Sequence, residues 1–199
     1  FTQGFRRFII GLGKMVLIAN AMGSMADKIL STGPYIGAIP AWVGFIAYTF
    51  QIYFDFSAYS DMAIGLGQIF GFHFLENFNY PYISRSVTEF WRRWHISLST
   101  FFRDYVYIPL GGNKVSQIRW ITNLAIVWAI TGLWHGASWN FVLWGLYYGA
   151  LLACEKLFLL TLMSKWPRFL QHSFVILCFF FGWVIFRVND FSLICGWFG

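Results

Sequence analysis

Long stretches of this chain carry almost no charge, and this limits the folds that are open to it. Of the 199 residues, 58% are apolar, 23% are aromatic and only 11% are charged. A soluble domain has about a quarter of its residues charged, which lets it cover its surface with polar groups. With so little polar material, much of the surface of this chain must face lipid. The composition therefore predicts a membrane protein.

Apolar runs divide the chain into five expected membrane spans and one shorter element. A helix needs about 20 predominantly apolar residues to cross a bilayer. The runs that approach this length are residues 8–25, 35–56, 120–134, 140–163 and 169–188. A sixth run, residues 62–74, is too short to span, and we expect it to be re-entrant or buried among other helices. The expected fold class is all-α, a polytopic transmembrane helix bundle.

We expect residues 1–199 to form a fragment of a single membrane domain. No internal repeat and no shift in composition separates two domains. The chain opens inside an apolar and basic stretch without an initiator Met, and it stops after another apolar run. We interpret this as a piece of a longer membrane protein, in which the N-terminal helices and the extreme C-terminus are missing.

The segment 84–110 has a different character, because it mixes charged and aromatic side chains. At about 100° per residue it separates into two helical faces. One face holds Trp91, Trp94, His95, Leu98, Phe101, Phe102 and Tyr105. The other holds Arg92, Arg93, Thr100, Arg103 and Asp104. Glu89 and Arg93 are also i,i+4 partners. The pattern predicts one amphipathic helix, which lies at the membrane interface or packs against the bundle and ends before Pro109.

The net charge of +6 does not indicate a nucleic-acid partner, because the basic residues lie beside apolar runs. Anionic membrane lipids and membrane orientation explain them better. If the spans alternate, the basic loops that contain Arg7, Lys114 and Lys165 share one face. The positive-inside rule makes this the cytoplasmic face. The connection at residues 134–140 is then expected at the opposite face.

Two histidines are candidate catalytic residues, because ionisable groups at membrane depth are costly and often functional. His135 lies in the sequence GLWHGASWN (132–140), where small neighbours permit close approach of a ligand. A neutral imidazole is a good general base, with an ordinary pKa of about 6.5. The alternative is a histidine that only bonds a neighbouring helix. His95, on the aromatic face, has an equally plausible interfacial role, with its ring reaching headgroup water.

Asp55 and Asp61 are the other ionisable candidates in apolar surroundings. Six residues apart, they do not share a helix face well. We expect one to orient a histidine or pair with an arginine, and the other to cap the short element at Met62. Three widely spaced cysteines show no CxxC pattern: Cys154, Cys178 and Cys195. The histidines and aspartates also lack i,i+3 or i,i+4 spacing, so no metal site is expected.

Three stretches of sequence carry a resemblance to a known family. They are FQIYFDFSAYSDMAIG (50–65), NYPYISRSVTEFWRRWHISLSTFFRDYVYIPLGGN (79–113) and TGLWHGASWNFVLWGLYYG (131–149). Together they resemble the membrane-bound O-acyltransferase family, in particular its bacterial branch that acetylates polysaccharides such as alginate. The D-alanyl transferases of teichoic acid modification are more distant. The motifs cover about half of the chain.

The resemblance implies that His135 is the catalytic histidine of the family and His95 its second histidine. It also implies a ring of helices around a thin centre, with a tunnel that joins the two membrane faces. The residues expected along this tunnel are Asp55, Asp61, Trp91, Trp94, Arg103, Asp104, Trp134 and Asn140. Of these, Trp94, Trp134 and Asn140 are candidate donors to an oxyanion.

The expected reaction is transfer of an acyl group, most simply acetyl, in a bacterial inner membrane. The donor is a thioester on the cytoplasmic side, acetyl-CoA or an acyl carrier, and no bound cofactor is expected. The acceptor is a hydroxyl of an exported polysaccharide, or a periplasmic acetylation protein that relays the group. Two alternatives remain at this stage. One is a D-alanyl or longer-acyl transferase of the same family, and the other is a non-enzymatic transporter component whose polar residues line a permeation path.

Overall fold

The computed structural model describes residues 1–33 and 36–188, and its regular structure there is helical, without a β-strand. Residue 35, where the second expected span begins, and Cys195 lie outside the described residues. The described chain forms two compact units, Phe1–Asn77 and the described part of Phe78–Phe191. The expectation of a single membrane domain stays a prediction.

The first unit is a pair of long helices, α1 (Thr2–Leu30) and α2 (Ala38–Ile69). A π-helical stretch, Lys14–Ala19, interrupts the regular hydrogen bonding of α1. The two helices approach closely at small residues, as is usual for helices packed in a membrane. A Cβ added to Gly4 would lie 2.5 Å from the carbonyl oxygen of Gly65, and one added to Gly11 would lie 2.8 Å from that of Ala58.

The expected break between residues 35–56 and 62–74 is wrong, because α2 runs through it. Met62 lies inside the helix, so no separate element begins there for an aspartate to cap. The carboxylate of Asp61 instead binds Arg7 and Lys14 of α1. The helix ends at Ile69, close to Gly71, whose φ of 84° leaves the helical region.

The second unit begins with short elements and continues with three longer helices. A 3₁₀ turn, Pro81–Ile83, precedes the short helices α3 (Val87–Arg93) and α4 (Ile96–Phe102). A π-helical turn, Arg103–Tyr107, continues α4. The longer helices are α5 (Gln117–His135), α6 (Trp139–Met163) and α7 (Arg168–Arg187).

Three described helices are long and apolar enough to cross a membrane, namely α1, α6 and α7. Helix α1 is longer than the expected span 8–25 at both ends. Helices α6 and α7 match the expected spans 140–163 and 169–188 to within about one residue. Helices α2 and α5 also occupy expected spans, but they are not among these three. Their passage through the membrane, and the orientation of the loops, stay predictions.

Helices α5 and α6 form a tight hairpin that brings His135 against α6. At Gly145, an added Cβ would clash with the carbonyl oxygen of Trp128, and at Gly132 it would clash with that of Phe141. These glycines therefore permit backbone contact between the two helices. The core of the unit includes side chains of this hairpin and contains large buried aromatic residues: Phe90, Trp91, Trp94, Trp128, Trp144, Tyr148, Phe179 and Trp183.

Candidate active site

The segment predicted as one amphipathic helix is broken at Trp94 and His95, so the prediction of one continuous helix is wrong. Trp94 is extended, and His95 has left-handed backbone angles (φ 46°, ψ 55°). Burial of the Trp94 ring against Trp183, with 5.0 Å between centroids, accompanies the break. The side chains after the break therefore follow a different face. Phe101 and Tyr105, expected beside Trp91, are 52% and 72% exposed.

The break places His95 in a cavity of about 550 Å³ in the second unit. Residues of α3, α4 and α5 form most of its wall. The polar and charged side chains in the wall are Thr88, Arg92, His95, Ser99, Thr100, Arg103, Tyr107, Thr131 and His135. Apolar and indole side chains make up the remainder, including Trp91, Trp94, Leu98, Phe102, Val127 and Trp128. Both predicted catalytic histidines therefore line one cavity.

His135 is held in a defined orientation at the end of α5. Its Nδ1 lies 2.8 Å from the carbonyl oxygen of Thr131, one helical turn earlier. Because a carbonyl oxygen only accepts, this hydrogen bond requires the proton of a neutral ring to be on Nδ1. Nε2 is then left with a free lone pair. The ring packs against Trp144, with 4.9 Å between centroids, and against Phe186 at 5.4 Å.

His95 lies on the same wall, and its ring centroid is 5.8 Å from that of Trp134. Trp134 in turn lies 5.0 Å from the ring of His135, so this indole contacts both histidines. Burial, and secondarily the proximity of His135, lower the pKa of His95 to about 4. His95 is therefore neutral at pH 7. A neutral ring can donate one hydrogen bond and accept another.

Of the six predicted tunnel residues in this unit, three line the cavity and three do not. Trp91, Trp94 and Arg103 line it, whereas Asp104, Trp134 and Asn140 do not. Asp104 forms an exposed ion pair with Arg103, with 2.7 Å between Oδ1 and Nε. The buried amide of Asn140 donates to the carbonyl oxygen of Phe186 at 3.1 Å. Asn140 thus ties α6 to α7, and its role as an oxyanion donor is untested.

The other two predicted tunnel residues lie in the first unit. Asp61 binds Arg7 at 2.9 Å and Lys14 at 2.6 Å, so the expected pairing of one aspartate with an arginine is confirmed. Arg7 also binds Glu76. Asp55 is exposed on the same helix, α2. The ion pairs give Asp61 a structural role, and a tunnel role for either aspartate stays a prediction.

The expected Glu89–Arg93 pair is present on α3, with 2.8 Å between its charged groups. Burial alone would raise the pKa of Glu89, but hydrogen bonds from the backbone N–H of Arg85 and from the Arg93 guanidinium outweigh it and lower that pKa. This pair is partly exposed, and it stabilises the outer surface of the helix that carries Trp91.

Sequence reasoning missed Glu155, a fully buried carboxylate in α6. It accepts hydrogen bonds from the backbone N–H groups of Val87 and Thr88 at the start of α3. A signal was available, because Glu155 is an acidic residue within the apolar run 140–163. The rule that selected Asp55 and Asp61 selects Glu155 as well.

Comparison with known proteins decides the family of this chain. The profile of MBOAT, the membrane-bound O-acyltransferase family, matches residues 1–196. The chain belongs to this family. Among its curated relatives, the probable alginate O-acetylase of Azotobacter vinelandii is 50% identical over 191 residues, which is 96% of this chain and 38% of that protein.

Two further relatives of this membrane-bound O-acyltransferase chain carry different names. The peptidoglycan O-acetyltransferase of Helicobacter pylori is 46% identical over 149 residues, covering 75% of this chain and 28% of that protein. The teichoic acid D-alanyltransferase of Bacillus subtilis is 33% identical over 171 residues, covering 81% of this chain and 40% of that protein. The chain therefore spans less than half of the length of these relatives.

Proposed function

We propose that the full-length protein is an O-acyltransferase that moves an acetyl group from a thioester donor to a carbohydrate hydroxyl, with His135 as general base. The observation that carries this proposal is the 2.8 Å contact between Nδ1 of His135 and the carbonyl oxygen of Thr131. The Nδ1–H of His135 donates to the Thr131 carbonyl, which leaves Nε2 as a proton acceptor in a residue that lines the cavity. General base catalysis by such a group accelerates a reaction by about 10²–10⁴.

The reaction proceeds by attack of the acceptor hydroxyl on the thioester. Nε2 of His135 removes the hydroxyl proton while the oxygen forms a bond to the acyl carbon. The C–S bond then breaks, and the thiol leaves with a proton returned from the imidazolium. The products are an ester and a free thiol. We assign to His95 a hydrogen bond to the carbonyl oxygen, because a neutral ring donates without adding a competing charge.

The side chains that line the cavity suit a small acyl group and a thioester donor that carries negatively charged phosphate groups. The apolar side chains exclude water, which would otherwise hydrolyse the thioester. Arg92 also lines the cavity and supplies positive charge for a phosphorylated donor such as acetyl-CoA or an acyl carrier, whereas Arg103 in the same wall is paired with Asp104. The donor is assigned to the cytoplasmic face, where the positive-inside rule places the basic loops.

The acceptor is proposed from the names of the relatives, which include an alginate O-acetylase and a peptidoglycan O-acetyltransferase. Both names specify acetylation, so we propose a polysaccharide hydroxyl, reached directly or through a periplasmic acetylation protein. D-alanyl transfer is the second candidate, and the teichoic acid D-alanyltransferase relative favours it. The bacterial inner membrane is the proposed location.

The test uses the full-length protein in membrane vesicles with a radiolabelled donor. Acetyl-CoA, acetyl-carrier protein and D-alanyl-carrier protein are supplied in parallel, each with alginate oligosaccharides and peptidoglycan fragments. Label in the carbohydrate from an acetyl donor, lost on replacement of His135 with Ala, is the expected result. Label from the D-alanyl donor alone selects the second candidate. Movement of solute across the vesicle without any labelled product selects the transporter alternative.

A further inference from the structure

A fully buried carboxylate in α6 binds the first turn of α3. Glu155 has no exposed surface, although it lies in a helix apolar enough to cross a membrane. Its Oε1 accepts a hydrogen bond from Val87 N at 2.5 Å. Its Oε2 accepts from Thr88 N at 2.8 Å and from the Thr88 hydroxyl at 2.7 Å. Three donors therefore compensate a charge whose burial is otherwise very costly.

These hydrogen bonds complete the N-terminal cap of α3. The first N–H groups of a helix have no partner within the helix. The side chain of Ser86 accepts from Glu89 N at 3.0 Å, and Glu155 accepts from the two preceding N–H groups. A negative charge is also favourable at this end of a helix. Since α3 has only seven residues, it depends on such contacts for its stability.

The helix held in this way carries the cavity side chain Trp91, and Trp94 and His95, which also line the cavity, follow its last residue. The left-handed backbone of His95 is an uncommon conformation that the surrounding structure must maintain. Helix α6 supplies a second contact to the site, because its Trp144 packs against the ring of His135. One helix therefore contacts His135 directly and fixes the start of the helix that leads to His95.

We propose that Glu155 is a positioning residue for acyl transfer: by fixing the start of α3 on α6, it sets the place of His95 in the cavity that His135 also lines. This inference rests on the proposed function. Glu155 is not among the residues that line the cavity, so it acts through α3 and not by contact with a substrate.

The decisive variant is Glu155→Gln in the full-length protein. Glutamine keeps the shape of the side chain, but it has one acceptor oxygen, and its NH₂ group faces a backbone donor. We expect kcat per folded molecule to fall about tenfold to a hundredfold, as small displacements of catalytic groups do. We expect KM for donor and acceptor to change by less than about twofold, because substrate contacts are retained. The folded fraction is measured by size-exclusion chromatography in detergent.

A matched control is available on α3, the helix whose start Glu155 binds. Glu89→Gln makes the same chemical change at a partly exposed ion pair, two residues after Val87, and should keep the wild-type kcat. Thr88→Val removes one of the three donors to Glu155 and should lower kcat by a smaller factor, about two- to fivefold. If Glu155→Gln yields no folded protein, Thr88→Val decides the question: because Thr88 also lines the cavity, only a fall in kcat with KM unchanged supports positioning, and a change in KM or an unchanged kcat contradicts it.

Several outcomes overturn the inference. Folded Glu155→Gln protein with kcat within about twofold of wild type removes the positioning role. A fall in kcat of the same size in Glu89→Gln does so too, because it indicates a general response of α3. Wild type and His135→Ala are assayed alongside. If the wild type transfers no acyl group, the proposed function itself fails, and the inference falls with it. If His135→Ala alone loses activity, only the inference about Glu155 fails.

Discussion

In the first unit, the partly buried carboxylate of Asp61 is neutralised by two cations, Arg7 and Lys14. In the second unit, the buried carboxylate of Glu155 is bound by backbone N–H groups and a hydroxyl, and the histidines of the cavity are held by a carbonyl and by aromatic rings. Ion pairs of the first kind join two helices, and they leave little unbalanced charge. Hydrogen bonds of the second kind fix the orientation of a side chain.

The difference indicates where chemistry can take place. A group whose charge is cancelled by a close counter-ion is stabilised in that charged state and exchanges protons poorly near neutral pH. An imidazole that is held neutral, with one nitrogen bonded and the other available, can accept a proton. We therefore expect substitutions of His135 and Glu155 in the second unit to change reaction rate, and substitutions in the Asp61 network to change stability.

The largest expected effect is that of His135→Ala. Loss of the base should lower the rate of acyl transfer by about 10²–10⁴. Expression and membrane insertion should be unchanged, because a partly buried ring at the end of α5 is removed without loss of a charge. Initial rates with labelled donor provide the measurement, with protein quantity matched by immunoblot. Near-normal acetyl transfer by the purified variant would show that His135 is not the base. The functional difference that we expect between the two units would then be wrong.

Replacement of Asp61 with Ala tests the other half of the comparison. Arg7 and Lys14 lose a shared partner in a partly buried position, so the free energy of unfolding should fall by about 1–3 kcal/mol. Asp55→Ala is the control, because Asp55 is exposed on the same helix and should change stability by less than about 0.5 kcal/mol. Thermal unfolding in detergent measures both. Equal midpoints for the two variants would show that the ion pairs contribute nothing measurable.

The pH dependence of stability sharpens the comparison for His95. Its pKa of about 4 in the folded protein lies below the ordinary value of about 6.5, so the unfolded chain binds more protons between these values. The contribution of neutral His95 to stability is complete above pH 6.5, and it is lost as pH falls towards 4. His95→Asn keeps a residue that tolerates the left-handed backbone, but it does not titrate. Between pH 7 and pH 4, the melting temperature of the variant should therefore decrease less than that of the wild type. Equal decreases in melting temperature would contradict this explanation.

The smallest expected effect concerns the Glu89–Arg93 pair, which resembles the first unit in its chemistry but is more exposed. Glu89→Gln should change the free energy of unfolding by about 0.5 kcal/mol or less. Added salt should reduce even this difference, because exposed charges are screened. Thermal midpoints at low and high salt are the measurement. A loss as large as that of Asp61→Ala would show that exposure does not distinguish the two ion pairs.

The sequence was sufficient to locate most helices, since long apolar runs have few other solutions in a membrane protein. It was not sufficient at Trp94 and His95. The periodic pattern of aromatic residues continues through this break, so a count at 100° per residue cannot detect it. The polar cluster around Asp61 suggested a break that does not occur. The cations that pair with Asp61 lie about 50 residues earlier in the chain, so the local sequence does not reveal them.

The residues of the candidate site were also predictable from the sequence only in part. His135 and His95 were found as isolated ionisable residues and through the motif that carries them. The hydrogen bond from His135 to Thr131 connects residues one helical turn apart, and it could have been anticipated once α5 was placed. The contacts of Glu155 could not have been anticipated, because its partners are backbone amides 68 and 67 positions away. No pattern of side chains reveals such partners.

The left-handed backbone at position 95 restricts the replacements that can be informative there. A β-branched residue such as Val is strained in this conformation, so its effect would mix local unfolding with loss of the imidazole. Glycine adopts these angles without steric cost and removes the ring entirely. A His95→Gly variant would therefore lack the imidazole and would have no steric strain in its backbone at this position. Any gain in melting temperature from that change would measure the conformational strain that the native protein carries at this position.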